Sequence, residues 1–189
     1  PALERMHAMF GGDALRLAWA LLGVFGALCI VTGNVVWLAR RAGRHGRFDV
    51  LLAKLTAGGS AGAALALAVA FVANQLLPDG ARDRPAWEEW SFYAAWLGSM
   101  AFALWHGSPV RSSRLLIACA GTLLVSVPGL DASRHGVEGW RLPAVATSAA
   151  VLVMTGLSFL ATAAFIGRFE RREKPSSDVV QRGSGAVEA

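Results

Sequence analysis

Residues 7–41, HAMFGGDALRLAWALLGVFGALCIVTGNVVWLARR, decide the fold of this 189-residue chain. Between Ala14 and Leu38 the only charge is Arg16. About 20 consecutive apolar residues cross the hydrocarbon core of a bilayer as a helix, so the stretch reads as a membrane span over about residues 13–38. Gly11 and Gly12 supply a turn. Asp13 is placed to cap the helix, its carboxylate at the positive end of the dipole. Gly23 and Gly26 share a face on which a second helix can approach closely in lipid.

The composition agrees. Hydrophobic residues make up 54% of the chain and charged residues 16%, against about a quarter charged in soluble domains; mean hydropathy is +0.46. The net charge of +5 and a pI near 10.2 could point to nucleic acid. The basic residues sit at the ends of apolar runs rather than on one soluble face, so they report membrane topology and exclude nucleic acid as the expected partner. Cys29 and Cys119 lie within apolar runs, where a thiol behaves as a small buried hydrophobe; neither suggests a disulfide framework or a zinc site.

Four further spans follow. The second, about residues 50–77, has Lys54 near its start, where a long stem can snorkel to the headgroups, and a GxxxG pair, Gly58 and Gly62, that reads as a packing face. The third, about residues 87–105, carries Trp87, Trp90, Tyr93, Trp96 and Trp105, aromatics that favour the two membrane interfaces. The fourth, about residues 115–130, contains Pro128, expected to bend or end the helix, and a polar loop over residues 131–141 is expected after it. Pro143 suits the first turn of the fifth, about residues 142–166, because its missing N–H has no helical partner there. The expected fold is therefore an all-α polytopic helix bundle over residues 1–167 with about five transmembrane helices. Residues 168–189, polar with little to bury, are expected to form a disordered cytoplasmic tail.

Five spans put the two ends of the chain on opposite sides. Twelve of the 18 Lys and Arg fall on one side: those within residues 40–54, Arg111 and Arg114, and those from Arg168 onward. The other six are Arg5, Arg16, Arg82, Arg84, Arg134 and Arg141. The positive-inside bias puts the N-terminus outside and the tail in the cytoplasm. No cleavable signal peptide is visible, since the first apolar run is long and ends in Arg40-Arg41. The abrupt start at Pro1 reads as a fragment or processed product, with helix partners expected from a missing N-terminal part.

Ionisable groups within or beside spans are the default functional candidates. There is no H-E-x-x-H, nucleophile elbow or phosphate loop. The carboxylates lie in loops or at helix ends, which disfavours hydrolysis, phosphoryl transfer and a proton relay through the bilayer. Four histidines remain. Imidazole is a common axial ligand of haem iron; His7 precedes the first span on the outer side and His106 closes the third on the inner side. Both can equally be interfacial residues, and His45 and His135 sit in polar loops.

The order His7-x-x-Phe10-Gly11-Gly12, then Trp19 to Gly23, then Thr32-Gly33-Asn34 through Trp37-Leu38-Ala39-Arg40-Arg41 resembles the later membrane segment of PepSY-associated transmembrane proteins. Residues 74–78 and 87–96 are similar to extended members found near siderophore uptake systems. The resemblance covers about residues 3–130 and is most specific in the first forty. It implies a bacterial inner-membrane protein with a periplasmic N-terminus, acting in iron acquisition. Electrons from a cytoplasmic donor would pass through haem b to a ferric siderophore, with His7 and His106 as cofactor-binding residues and His7 on the haem iron. The usual first span and periplasmic domain of that family are absent from this sequence. The rival expectation is a non-enzymatic accessory or scaffold subunit that packs against a transporter or redox partner through its glycine faces. A small-solute transporter is disfavoured, since no discontinuous helix with convergent polar groups is evident.

Overall fold

The computed structural model describes residues 46–78, 80, 82–136 and 143–172, together with Leu22, Cys29, Gly33 and Val36. Four helices result: α1 (Arg47–Leu76), α2 (Arg84–Trp105), α3 (Pro109–His135) and α4 (Pro143–Arg172). There is no strand among the described residues. Three segments, Arg47–Leu76, Pro109–Arg134 and Ala146–Arg168, are long and apolar enough to cross a membrane. These correspond to the second, fourth and fifth spans read from the sequence. The chain divides into two compact units, Pro1–Val50 and Leu51–Ala189. In the first, the expected span over residues 13–38 lies outside the described residues except at Leu22, Cys29, Gly33 and Val36, which have helical backbone and are exposed.

Local chemistry sets the helix ends. Pro85 occupies the first turn of α2, where a missing N–H costs nothing. The Ser108 hydroxyl accepts the Arg111 N–H at 3.4 Å, and Pro109 follows as the first helical residue of α3. Gly136 closes α3 with φ +73°, a conformation that favours glycine, and its N–H donates to the Ala132 carbonyl at 3.0 Å. α4 begins at Pro143, the position expected of it.

Three expectations need correction. α3 runs through Pro128 to His135, so the proline does not end the helix, and residues 131–135 are helical rather than loop. Leu124 and Val127, almost wholly buried at 5% and 2% exposure, hold that turn by packing. Tertiary burial of this kind outweighs the lost backbone bond in an apolar helix. α4 continues through Arg172, past the Arg168 at which a tail was expected, because no glycine or proline interrupts the stretch after Gly167 and arginine and glutamate are good helix formers. Residues 173–189 lie outside the described residues. The third expected span, now α2, is long enough to cross a membrane but is not among the three segments that are also apolar enough.

Small residues knit the helices together. A Cβ on Gly58 would lie 2.7 Å from the Ala103 Cβ, and one on Gly62 would lie 2.5 Å from the Ser99 Cβ. The GxxxG pair is thus the seam between α1 and α2, as expected. α3 and α4 meet at Gly121 and Gly156. Ala68 of α1 and Ala120 and Leu124 of α3 form a buried cluster, with Leu152 and Phe159 of α4 against it. In lipid, where apolar burial gives helices no net drive to associate, such close backbone approach supplies the packing energy.

Candidate functional site

The polar chemistry of the described bundle gathers at its two ends. At one end the last turn of α1 meets the first turns of α2. Asn74 Nδ2 and Arg84 Nε both donate to Glu88 Oε1, at 2.8 and 3.0 Å, and Arg84 Nη2 donates to the Asn74 carbonyl at 2.7 Å. Arg134, near the end of α3, reaches the same place, with Nη1 donating to the carbonyls of Gln75 and Leu77. The carbonyls at a helix C-terminus have no intrahelical partner, and a guanidinium there also suits the negative end of the dipole.

At the other end Lys54 of α1 donates from Nζ to the Leu104 carbonyl in the last turn of α2, at 3.1 Å. The residue expected only to snorkel therefore also ties two helices together. His106 follows, with extended backbone. Its N–H donates to the Phe102 carbonyl at 2.8 Å, and its ring, half-buried, stacks on Phe102 with centroids 5.2 Å apart and planes 22° from parallel. Arg111 and Arg114 lie one helical turn apart at the start of α3, and Arg114 crosses onto α4 at Gly167.

Between the ends, polar side chains mostly serve the helices themselves. The Trp96 indole N–H donates to the Gly59 carbonyl at 3.0 Å across the α1/α2 seam. Ser60, Ser99, Thr122, Ser158 and Thr162 donate to carbonyls four residues back. These back-bonds satisfy hydroxyls that would otherwise meet hydrocarbon.

Of the residues expected to hold a cofactor, the structure places His106 alone. His7 and His45 lie outside the described residues, and His135 is described only as the last residue of α3. The described side chains therefore offer one imidazole, and a second axial ligand to haem would have to come from elsewhere. No group of three or more His, Cys, Asp or Glu among the described residues could hold a metal ion. Cys29 and Cys119, expected to be buried, are both exposed.

Sequence reading missed the Asn74–Arg84–Glu88 cluster, although the spacing of Arg84 and Glu88, four apart on a helix, was a local signal for half of it. Nothing local signalled the Arg134 cap on α1 or the Lys54 bond to α2. No protein-family model, curated protein or solved structure matches this chain.

Proposed function

We propose that this chain is a multi-pass protein of the bacterial inner membrane that acts as an accessory subunit, packing against a transporter or redox partner. The observation that supports this reading best is the one-sided packing of α4. Gly156, Ala163 and Gly167 are buried toward the bundle, whereas Val151, Met154, Leu157 and Phe165 are exposed along the helix, Met154 at 64%. The end that carries Lys54, Arg111, Arg114 and Arg168 faces the cytoplasm in this reading, by the positive-inside bias. A photo-crosslinking residue at Met154, in the native membrane, should give one discrete adduct with an integral membrane transporter or redox subunit, and the same residue at buried Ala163 should give none. Adducts with lipid alone at Met154, Leu157 and Phe165 would overturn the proposal.

A second reading follows the PepSY resemblance and the half-buried stack of His106 on Phe102. In it the chain passes electrons to a ferric siderophore, with His7 and His106 as the residues that hold haem b. Bound haem supplies the one-electron chemistry. The protein's part is to orient the imidazoles and exclude water. Purified protein would then show a Soret band that dithionite shifts and that His7→Ala or His106→Ala diminishes. A preparation with no Soret band after haem supplementation rejects this second reading and leaves the first in place.

A further inference from the structure

α4 carries two different exposed stripes. Consecutive helical residues are about 100° apart, so Met154 and Leu157 lie on one side of the helix and Thr155 and Thr162, seven positions apart, on another. Ser158 stands between the two threonines, and all three hydroxyl residues are exposed. Within a span a hydroxyl commonly bonds the carbonyl four residues back. Ser158 does so to Met154 and Thr162 to Ser158, each at 2.8 Å. Thr155 spends its hydroxyl hydrogen on no acceptor among the described residues. A donor left unmade in hydrocarbon costs free energy, so an acceptor from outside the described bundle is favoured there. Ser158 and Thr162, having given away their hydrogens, retain the capacity to accept.

The chemistry of the stripe points to its occupant. α4 is the least covered of the three apolar spans, with 11% of its apolar stretch buried inside the chain against 33% in each of the other two. Residues 142–167 contain no Asp, Glu, Lys or Arg, so two copies of α4 meet there without like-charge repulsion. Copies of one sequence insert in the same orientation. Their α4 helices are then parallel, and a two-fold axis along the membrane normal sets each residue opposite its counterpart at the same depth. A hydroxyl both donates and accepts, so threonine facing threonine is self-complementary. Positions 155, 158 and 162, three and four apart, have the spacing of a left-handed parallel seam. We propose that the hydroxyl stripe of α4 docks a second copy of this chain, with one Thr155 hydroxyl donating to the other across the two-fold axis. The Met154 side stays open to the membrane partner proposed above, so the two contacts can fail separately. The inference rests on α4 being a span, and release of the chain from membranes by carbonate would overturn it.

Disulfide trapping in native membranes tests the contact. In a Cys29→Ser, Cys119→Ser background, Thr155→Cys and Thr162→Cys should each give a disulfide-linked dimer on mild oxidation. Leu157→Cys, 48% exposed on the other side of the helix, should give none. The hydroxyl itself is read from dimer dissociation in lipid vesicles, by energy transfer between labelled copies of the full-length protein. Thr155→Val keeps the shape and loses the donor, and should raise the dissociation constant about threefold; Thr155→Ser, which keeps the donor, should match the parent. Both substitutions lie on an exposed face and leave the packing of the bundle alone. Equal trapping at positions 155 and 157, unchanged dissociation in Thr155→Val, or a monomer at every protein-to-lipid ratio would overturn the proposal. Disulfide adducts of Thr155→Cys with a different protein only would overturn the second copy as the occupant. A trapped dimer at position 155 with no protein adduct at Met154 would uphold this inference and reject the accessory-subunit reading.

Discussion

Gly121 of α3 and Gly156 of α4 face each other so closely that a Cβ on either would lie 2.7 Å from the carbonyl oxygen of the other. The contact is backbone to backbone, so neither side can yield by turning a side chain. Gly156→Val should therefore destabilise the bundle by about 1–3 kcal/mol, the usual cost of overpacking, seen as a lower midpoint of thermal unfolding in detergent. Gly98→Ala in α2, where a Cβ meets nothing within 4 Å, should instead raise the midpoint, because alanine is the better helix former by about 0.5–1 kcal/mol.

The α1/α2 seam should respond differently to two kinds of change. Gly62→Leu must push α2 away, since a Cβ there already falls 2.5 Å from Ser99. Trp96→Phe leaves the spacing intact and removes the indole N–H that the Gly59 carbonyl accepts; the expected loss is about 1 kcal/mol. Combined, they should be less than additive, because Gly62→Leu already breaks that hydrogen bond.

Lys54 sits at the negative end of the α2 dipole, bonded to Leu104. Lys54→Met should lower stability by about 0.3–1 kcal/mol, and Lys54→Glu should lower it further by placing a like charge against the terminal carbonyls. Equal midpoints for the two variants would show that the helix dipole plays no part.

At the opposite end the pair Arg84 and Glu88 is partly exposed, at 24% and 30%. Exposed pairs four apart on a helix contribute about 0.3–0.5 kcal/mol, so Glu88→Gln should change the midpoint little. Arg134→Ala should cost more, since it leaves the carbonyls of Gln75 and Leu77 without that donor. Thermal unfolding of the two variants side by side checks the order.

The contrast between these residues shows what a sequence can reveal of such a fold. The apolar runs of α1, α3 and α4, the Gly58–Gly62 spacing and Pro143 at a helix start are local patterns, and each is realised where it was expected. The length of α3 was misread because Pro128 is a local stop signal, while the burial of Leu124 and Val127 that overrides it comes from other helices. The bonds of Lys54 to Leu104, Trp96 to Gly59 and Arg134 to Gln75 join residues 50, 37 and 59 positions apart. Separations of that size leave no periodicity to read. Of the candidate site, His106 could be named from the sequence but its stack on Phe102 could not. The Arg114–Gly167 crossing was equally invisible, since it needs two helices in register.

We propose that the bundle crosses the membrane with its Lys54, Arg111 and Arg114 end in the cytoplasm, so that the two ends of α2 lie on opposite sides although α2 is not among the three helices apolar enough to cross by composition. Thiol labelling tests it most directly. In a Cys29→Ser, Cys119→Ser background, Arg82→Cys and Gly107→Cys place one thiol at each end of α2. A membrane-impermeant maleimide applied to intact spheroplasts should label the thiol at position 82, and should reach position 107 only after the membrane is permeabilised. Labelling of both positions from the same side would contradict the account.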